Sequence, residues 1–307
     1  MDAGTAGISQ VLGNWSRAAP DAPAAAAARP PHAAIARVWQ VGRWILRARA
    51  NEAGTVERLQ HEARLVDAAR GLVPWPLPDL LAANDGRRFV LADDAVWTLH
   101  LALPGRMIRA WQELHRAPPA ERDRLLHLLR RLHDATRGRL DAPDPLWLVR
   151  DVTVRLARVR GRLPLGAVLA VEAALERVAR AAASAAPRDL AFVHGDFHGG
   201  NVLADDDGRV CGLVDLDWCR IARPLEDLAY TAMMLARATP AVPPVDALLQ
   251  VAGTYGLDPS KHGEFLDCAV LYALFDVDLF VAADGLADRA RWLAVQSALL
   301  VAICAGL

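Results

Sequence analysis

The sequence predicts an α+β chain in two parts: a small antiparallel sheet carrying one helix, then a larger and mainly helical stretch. Three observations carry this. Short β-type runs cluster before residue 104, apolar residues recur at helical spacing after it, and a hairpin with an acidic turn interrupts the helical part near residue 205.

Taken in order, Ile8, Val11, Leu12 and Trp15 recur at helical spacing and predict a short amphipathic opening helix. The Ala/Pro segment from Ala18 to Pro31 reads as a connector of low complexity. Strands follow at Ile35 to Val41, Arg43 to Ala48, Arg88 to Leu91 and Ala95 to Leu101. Between the second and third lies a helix from about Thr55 to Arg70, with Thr55 as N-cap and Gly71 as the stop. Beyond it, Leu125, Leu126, Leu128, Leu129, Leu132 and His133 mark one amphipathic helix, and Val168 to Ala186 another. His127 and His133 read as surface or packing residues of that first helix, and Trp292 to Leu307 as a packed terminal helix.

The chemistry-bearing stretch is His194-Gly195-Asp196-Phe197-His198-Gly199-Gly200-Asn201, followed by Val202-Leu203-Ala204, the turn Asp205-Asp206-Asp207-Gly208, a second apolar run and Asp215-Leu216-Asp217. Apolar run, acidic turn ending in Gly and apolar run predict a β-hairpin. An aspartate with an asparagine five residues on, then a hairpin delivering another aspartate, supplies a general base and two hard oxygen ligands for magnesium. Magnesium usually takes only one or two protein side chains, so Asn201 and Asp215 suffice. Asp205, Asp206 and Asp207 are turn residues, His194 a prop for the loop, and Asp217 a residue that reaches either the metal or solvent, with solvent favoured.

Phe192 to Asp196 with Asn201, then Leu213-Val214-Asp215, then Pro224-Leu225-Glu226-Asp227-Leu228-Ala229 resemble the aminoglycoside phosphotransferase and choline kinase superfamily of small-molecule kinases. The resemblance implies a two-lobed protein-kinase-like fold, with residues 1–103 as the nucleotide-side lobe and 104–307 as the helical lobe. It implies ATP in the cleft, Mg²⁺ as cofactor and a hydroxyl on a small molecule as acceptor. By position, Asp196 is then the catalytic base, Asn201 and Asp215 the metal ligands, and Asp227 a buried structural acid in the first turn of a helix. Two strands, a helix and two strands match the small lobe. There a basic strand residue pairs with a helix Glu to steady the ATP phosphates.

Glu62 is the helix candidate, because Leu59 and Val66 put it on the packed face. The only lysine is Lys261, far downstream, so Arg47 takes the usual lysine position, with Arg49 on the same strand face as a rival. The approach to the first strand, Arg29 to Ala34, has no glycine, and the strand turn has only Gly42. Leu101-Ala102-Leu103-Pro104-Gly105 looks like the hinge, with backbone near Leu101 and Leu103 for the adenine edge. His198, two residues past the base, is a candidate for a nucleotide phosphate. The two departures also fit a nucleotide-binding regulatory protein of the same fold, the alternative class of function.

Gly195-Asp196-Phe197-His198-Gly199 also spells an element that opens the binuclear site of metallophosphatases. After His198 the only histidine is His262, so the remaining ligands of such a site are missing. For an acceptor amine, Asp276, Asp278, Glu264 and Asp267 are the acidic candidates, and Tyr230, Tyr255, Tyr272 and Trp292 the aromatic ones.

Composition agrees with a soluble enzyme. At 307 residues, 53% hydrophobic and 23% charged, the chain buries a large core without disulfide staples. A net charge of -1 gives no phosphate-backbone footprint, so nucleic acid is not an expected partner. Cys211, Cys219, Cys268 and Cys304 form no C-x-x-C pair and read as reduced thiols of a cytoplasmic protein. The start has no signal-peptide pattern, and the apolar C-terminal stretch is too short and interrupted to span a bilayer.

Overall fold

A computed structural model describes residues 5–19, 37–109, 117–141, 143–236, 244–282 and 289–305. The connector read from Ala18 to Pro31 lies outside the described residues from residue 20 on, as does the start of the first strand at Ile35. Two compact units divide the chain: Met1–Arg70 with Trp75–Arg106 and Leu203–Asp217, and Gly71–Pro74 with Met107–Val202 and Trp218–Leu307.

In the first unit, α1 (Thr5–Leu12) precedes β1 (Arg37–Val41), β2 (Trp44–Ala50), α2 (Thr55–Ala69), β3 (Val90–Ala92) and β4 (Ala95–Leu101). The four strands form an antiparallel sheet in the order β1-β2-β4-β3. Alternation along β2 buries Leu46 and Ala48 on one face and sends Arg47 and Arg49 to the other. The buried face closes over the opening helix, since Ile8, Val11, Leu12 and Trp15 share a core with Val41, Trp44, Leu46 and Leu99. Trp15 is fully buried and its Nε1 donates to the Leu81 carbonyl at 3.1 Å. The predicted order of strands and helix is present. Helix α2 is capped differently from expectation: Gly54, with φ +81°, is the N-cap, and Thr55 is the first helical residue. Gly71 does end it, with φ +85°.

The predicted hairpin is β7 (Val202–Ala204) and β8 (Val210–Leu213), which form a three-stranded sheet with β5 (Arg106–Met107). Its turn closes as turn chemistry requires. Asp205 N donates to Arg209 O at 2.9 Å, Arg209 N donates to Asp205 Oδ1 at 2.7 Å, and Gly208 takes φ +77°.

The second unit is mainly helical. It holds α3 (Pro119–Thr136), α4 (Trp147–Val159), α5 (Leu165–Ala183), α6 (Pro224–Ala236), α7 (Pro244–Tyr255), α8 (His262–Ala282) and α9 (Arg289–Ala305). Helix α8 is apolar around most of its circumference, and α4, α5, α6 and α9 pack on it. A two-stranded ladder of β6 (Ala191–Val193) and β9 (Arg220–Ala222) delivers the chain to His194. Helix α4 is an addition to the sequence reading, although its buried residues Leu148, Val152, Leu156 and Val159 recur at helical spacing and carried the signal. Among the described residues no helix is long and apolar enough to cross a membrane.

Trp15→Ala is expected to cost about 3–5 kcal/mol, and Trp15→Phe, which loses the bond to Leu81 with less volume, about 1 kcal/mol. Urea denaturation followed by circular dichroism measures both.

Candidate functional site

The loop after β6 is held by one buried acid. Asp227, fully buried in the first turn of α6, accepts His194 N at 2.7 Å on Oδ2 and Gly195 N at 2.8 Å on Oδ1. His133 Nε2 lies 3.2 Å from Oδ2, and His133 Nδ1 lies 2.7 Å from the Tyr255 hydroxyl. Burial pushes the Asp227 carboxyl up, but the hydrogen bond and charge of His133, the charge of His194 and the main-chain bond outweigh it, and the group sits below its ordinary value. Gly195 is required twice over. Its φ is +82°, and a Cβ there would run into the carbonyl and Cβ of Trp218. His133 is therefore no ordinary packing residue but a buried link between α3, α6 and α7. The signal was available: a histidine on the apolar stripe of Leu125, Leu129 and Leu132 needs a buried partner.

Asp196 and Asn201 meet. Asn201 Nδ2 donates to the Asp196 main-chain oxygen at 2.8 Å and to its Oδ2 at 3.1 Å, so the pair is joined through the amide nitrogen and not the amide oxygen. Asp196 Oδ1 is buried without a hydrogen bond, although His198 Nε2 stands 3.4 Å away at ion-pair distance. Burial raises the Asp196 carboxyl, yet the attraction of His198, the charge of His194 and the bond from Asn201 together hold it below the usual carboxylate value. His198, expected at a phosphate, is 4% exposed and turned to the loop itself, with Nδ1 accepting from Gly200 N at 3.0 Å. His194 accepts from Asp196 N at 3.3 Å, and Thr231 Oγ1 in α6 donates to Phe197 O at 2.9 Å.

A second cluster lies within the first unit. Arg47 donates to Asp217 from Nη1 at 2.7 Å and Nη2 at 2.6 Å, and to Asp215 Oδ1 from Nη2 at 3.0 Å. Arg49 Nη2 reaches Asp217 Oδ1 at 2.5 Å and Glu62 Oε2 at 3.0 Å. Glu62 thus pairs directly with Arg49, while Arg47 belongs to Asp215 and Asp217. Asp217, expected to face solvent, instead joins both arginines. Spacing of two in extended chain puts Asp217 on the side of Asp215, a signal that favoured a shared site over solvent, and both carboxylates do meet Arg47. Burial, with the Asp217 charge adding and Arg49 and Arg47 opposing, pushes the Glu62 carboxyl up to about 7. Burial lowers the Arg47 guanidinium, but the charges of Asp217, Asp215 and Glu62 raise it overall. Asp215 itself has φ +61°, in the left-handed region.

At the expected hinge, Leu101 closes β4 with its side chain exposed, Ala102 N donates to Arg43 O at 2.8 Å, and Leu103 packs where a Cβ on Gly212 would fall. The β1–β2 turn is only Gly42-Arg43, because Val41 already pairs with Trp44.

The candidate acceptor acids are buried or already engaged within the helical unit. Asp278 takes Arg155 at 2.8 Å and Arg158 at 2.6 Å, Asp267 takes Arg177 at 2.7 Å, and Glu264 takes Arg223 and Lys261. Asp276 is 3% exposed. Tyr255 serves His133, and the Tyr272 hydroxyl accepts from Arg220 Nη2 at 2.6 Å. Tyr230 and Tyr272 meet edge to face at 5.2 Å, while the Trp292 side chain lies outside the described residues. All four cysteines are free. Among the described residues no group of three or more His, Cys, Asp or Glu converges as a metal cage.

With this geometry in hand, residues 28–264 match the phosphotransferase enzyme family, and the chain belongs to that family. It is a phosphotransferase of the kinase class. The GDP complex of wild-type aminoglycoside 2'-phosphotransferase-IIIa is similar at a TM-score of 0.66 and 13% identity, covering 99% of this chain and 99% of that one. A choline/ethanolamine kinase family protein from Mesorhizobium loti gives 0.59 and 18%, covering 94% and 93%. A microcompartment-associated aminopropanol kinase gives 0.63 and 15%, covering 97% and 94%. At these identities the likeness is one of fold, and the fold is the kinase-like one of these relatives. No curated protein matches the chain.

Asp227→Asn turns an amide NH₂ toward a loop N–H and is expected to cost about 3 kcal/mol. Tyr255→Phe is expected to cost about 1 kcal/mol. Urea unfolding of the two variants beside the parent measures both.

Proposed function

We propose that the enzyme transfers the γ-phosphoryl group of ATP, with Mg²⁺, to a hydroxyl of a small molecule such as an aminoglycoside-like antibiotic, an amino alcohol or a related metabolite. The observation that carries this is the Asp196–Asn201 pair. Asp196 is held below the ordinary carboxylate value, hence ionised near neutrality, and its Oδ1 makes no hydrogen bond beyond the ion-pair approach of His198 Nε2 at 3.4 Å. An acceptor hydroxyl is the group that such an oxygen orients and whose proton it takes late in the transfer.

The residues present fit the cofactors. The Asn201 amide oxygen and the Asp215 carboxylate are hard donors of the kind magnesium selects. Arg47 and Arg49 each keep a buried Nε without a partner, donors suited to phosphate oxygens. Bound Mg²⁺ offsets the charge of the phosphates. Asn201 and Asp215 would hold it, Asp196 positions the hydroxyl, His198 steadies Asp196, and Arg47 together with the Arg49–Glu62 pair aligns the nucleotide, Leu101 and Leu103 offering main-chain groups to the base. On this reading residues 1–103 serve the nucleotide and 104–307 carry the catalytic loop and acceptor pocket. Four free cysteines support a reducing, cytoplasmic setting.

The contact of Arg47 with Asp215, and a β1–β2 turn of two residues, favour a second reading, a nucleotide-binding regulator without turnover. An ADP- or GDP-release screen across hydroxyl compounds, with ATP or GTP and with or without Mg²⁺, separates the two. Acceptor-dependent, Mg²⁺-dependent release is expected; nucleotide binding without release for any acceptor supports the regulator. Asp196→Asn and Asp215→Ala should each lower kcat at least ~10²-fold while circular dichroism stays that of the parent. Parental activity in either variant removes that residue's assignment.

A further inference from the structure

Arg47 and Arg49 leave β2 on one face and end on the same carboxylate. Two guanidiniums side by side repel, and an acid bonded to both removes that cost while fixing the direction of each planar fork. Asp217 does this. Glu62, the helix acid, reaches only Arg49 among the two by hydrogen bond. The bonds to Asp217, Asp215 and Glu62 come from Nη atoms alone. Both Nε atoms are left buried with no partner, a cost that a folded protein accepts where a ligand supplies the acceptor. The missing acceptor has to carry several oxygens, because it serves two planar forks at once. A polyphosphate meets that description, and planar forks bind phosphate oxygens with defined geometry.

We propose that Asp217 is a positioning residue of the nucleotide site, holding Arg47 and Arg49 as a double guanidinium clamp for the polyphosphate, with Arg49 rather than Arg47 carrying the link to helix α2 through Glu62. This rests on the reading of the enzyme as nucleotide-dependent. The clamp replaces the single ammonium of a lysine with two forks, and Asp217 is what makes two forks compatible in one place. Asp217 keeps its bonds when the nucleotide is bound, since the phosphates use the donors it leaves open.

The test is equilibrium titration of the full-length protein with ADP and with GDP, both without Mg²⁺, alongside steady-state kinetics. Asp217→Asn should weaken nucleotide binding roughly tenfold and raise the nucleotide KM by a similar factor, leaving the acceptor KM and the circular dichroism spectrum at parental values. Arg49→Gln should weaken binding at least as much. Arg49→Lys, which keeps the charge and loses the fork, should fall between the parent and Arg49→Gln, so an unfolded variant at one position still leaves the other to decide. Parental or tighter binding in folded Asp217→Asn overturns the assignment, as it does in folded Arg49→Gln. A loss confined to kcat or to acceptor KM overturns it too. If the parent itself binds neither nucleotide, the functional reading falls and takes this inference with it; if the parent binds and the variants match it, only the inference falls.

Discussion

One carboxylate sets the loop that carries Asp196 and Asn201. Asp227 spends both oxygens on consecutive main-chain amides, His194 and Gly195, so the chain leaving β6 has a fixed direction before any side chain of the loop is placed. A buried acid with two amide donors and an imidazole is fully satisfied, which is why it can be buried at all. Everything downstream inherits that direction: Gly195 turns against Trp218, Asn201 folds back onto Asp196, and His198 fills the space a side chain at Gly200 would take. His133 and Tyr255 extend the anchor into α3 and α7, tying loop geometry to the helical core instead of to the surface.

The first unit solves a different problem, that of keeping two arginines together. Arg47 and Arg49 sit where a strand two residues long in period presents them to the same side, and charge repulsion would splay them. Asp217 and Glu62 hold them, with Asp215 touching Arg47 as well. The elevated Glu62 carboxyl follows from the same crowding, since burial and the neighbouring Asp217 charge both disfavour a further negative group.

Much of this was legible from residue spacing. The five-residue interval from Asp196 to Asn201, the acidic turn ending in Gly208, and the place of Glu62 between Leu59 and Val66 are local features, and local features survive into the fold. What could not be read was pairing over long separations. Asp278 and Asp267 look like open acids until α4 and α5 bring Arg155, Arg158 and Arg177 to them. A sharper reading was available there, because an acid inside a helix as apolar as α8 is buried and must already have a cation. The choice between Arg47 and Arg49 for Glu62 stayed open for a plainer reason: period two gives both residues the same face, and only distance to α2 separates them.

The backbone at Asp215 narrows what evolution can do there. Its left-handed conformation suits few residue types. Asparagine keeps the conformation and gives up the charge; glycine keeps it and gives up the oxygens; other replacements strain the main chain as well as removing the carboxylate. Position 215 therefore has almost no neutral neighbours in sequence space, and a lineage that loses aspartate there has few single-step routes by which to drift.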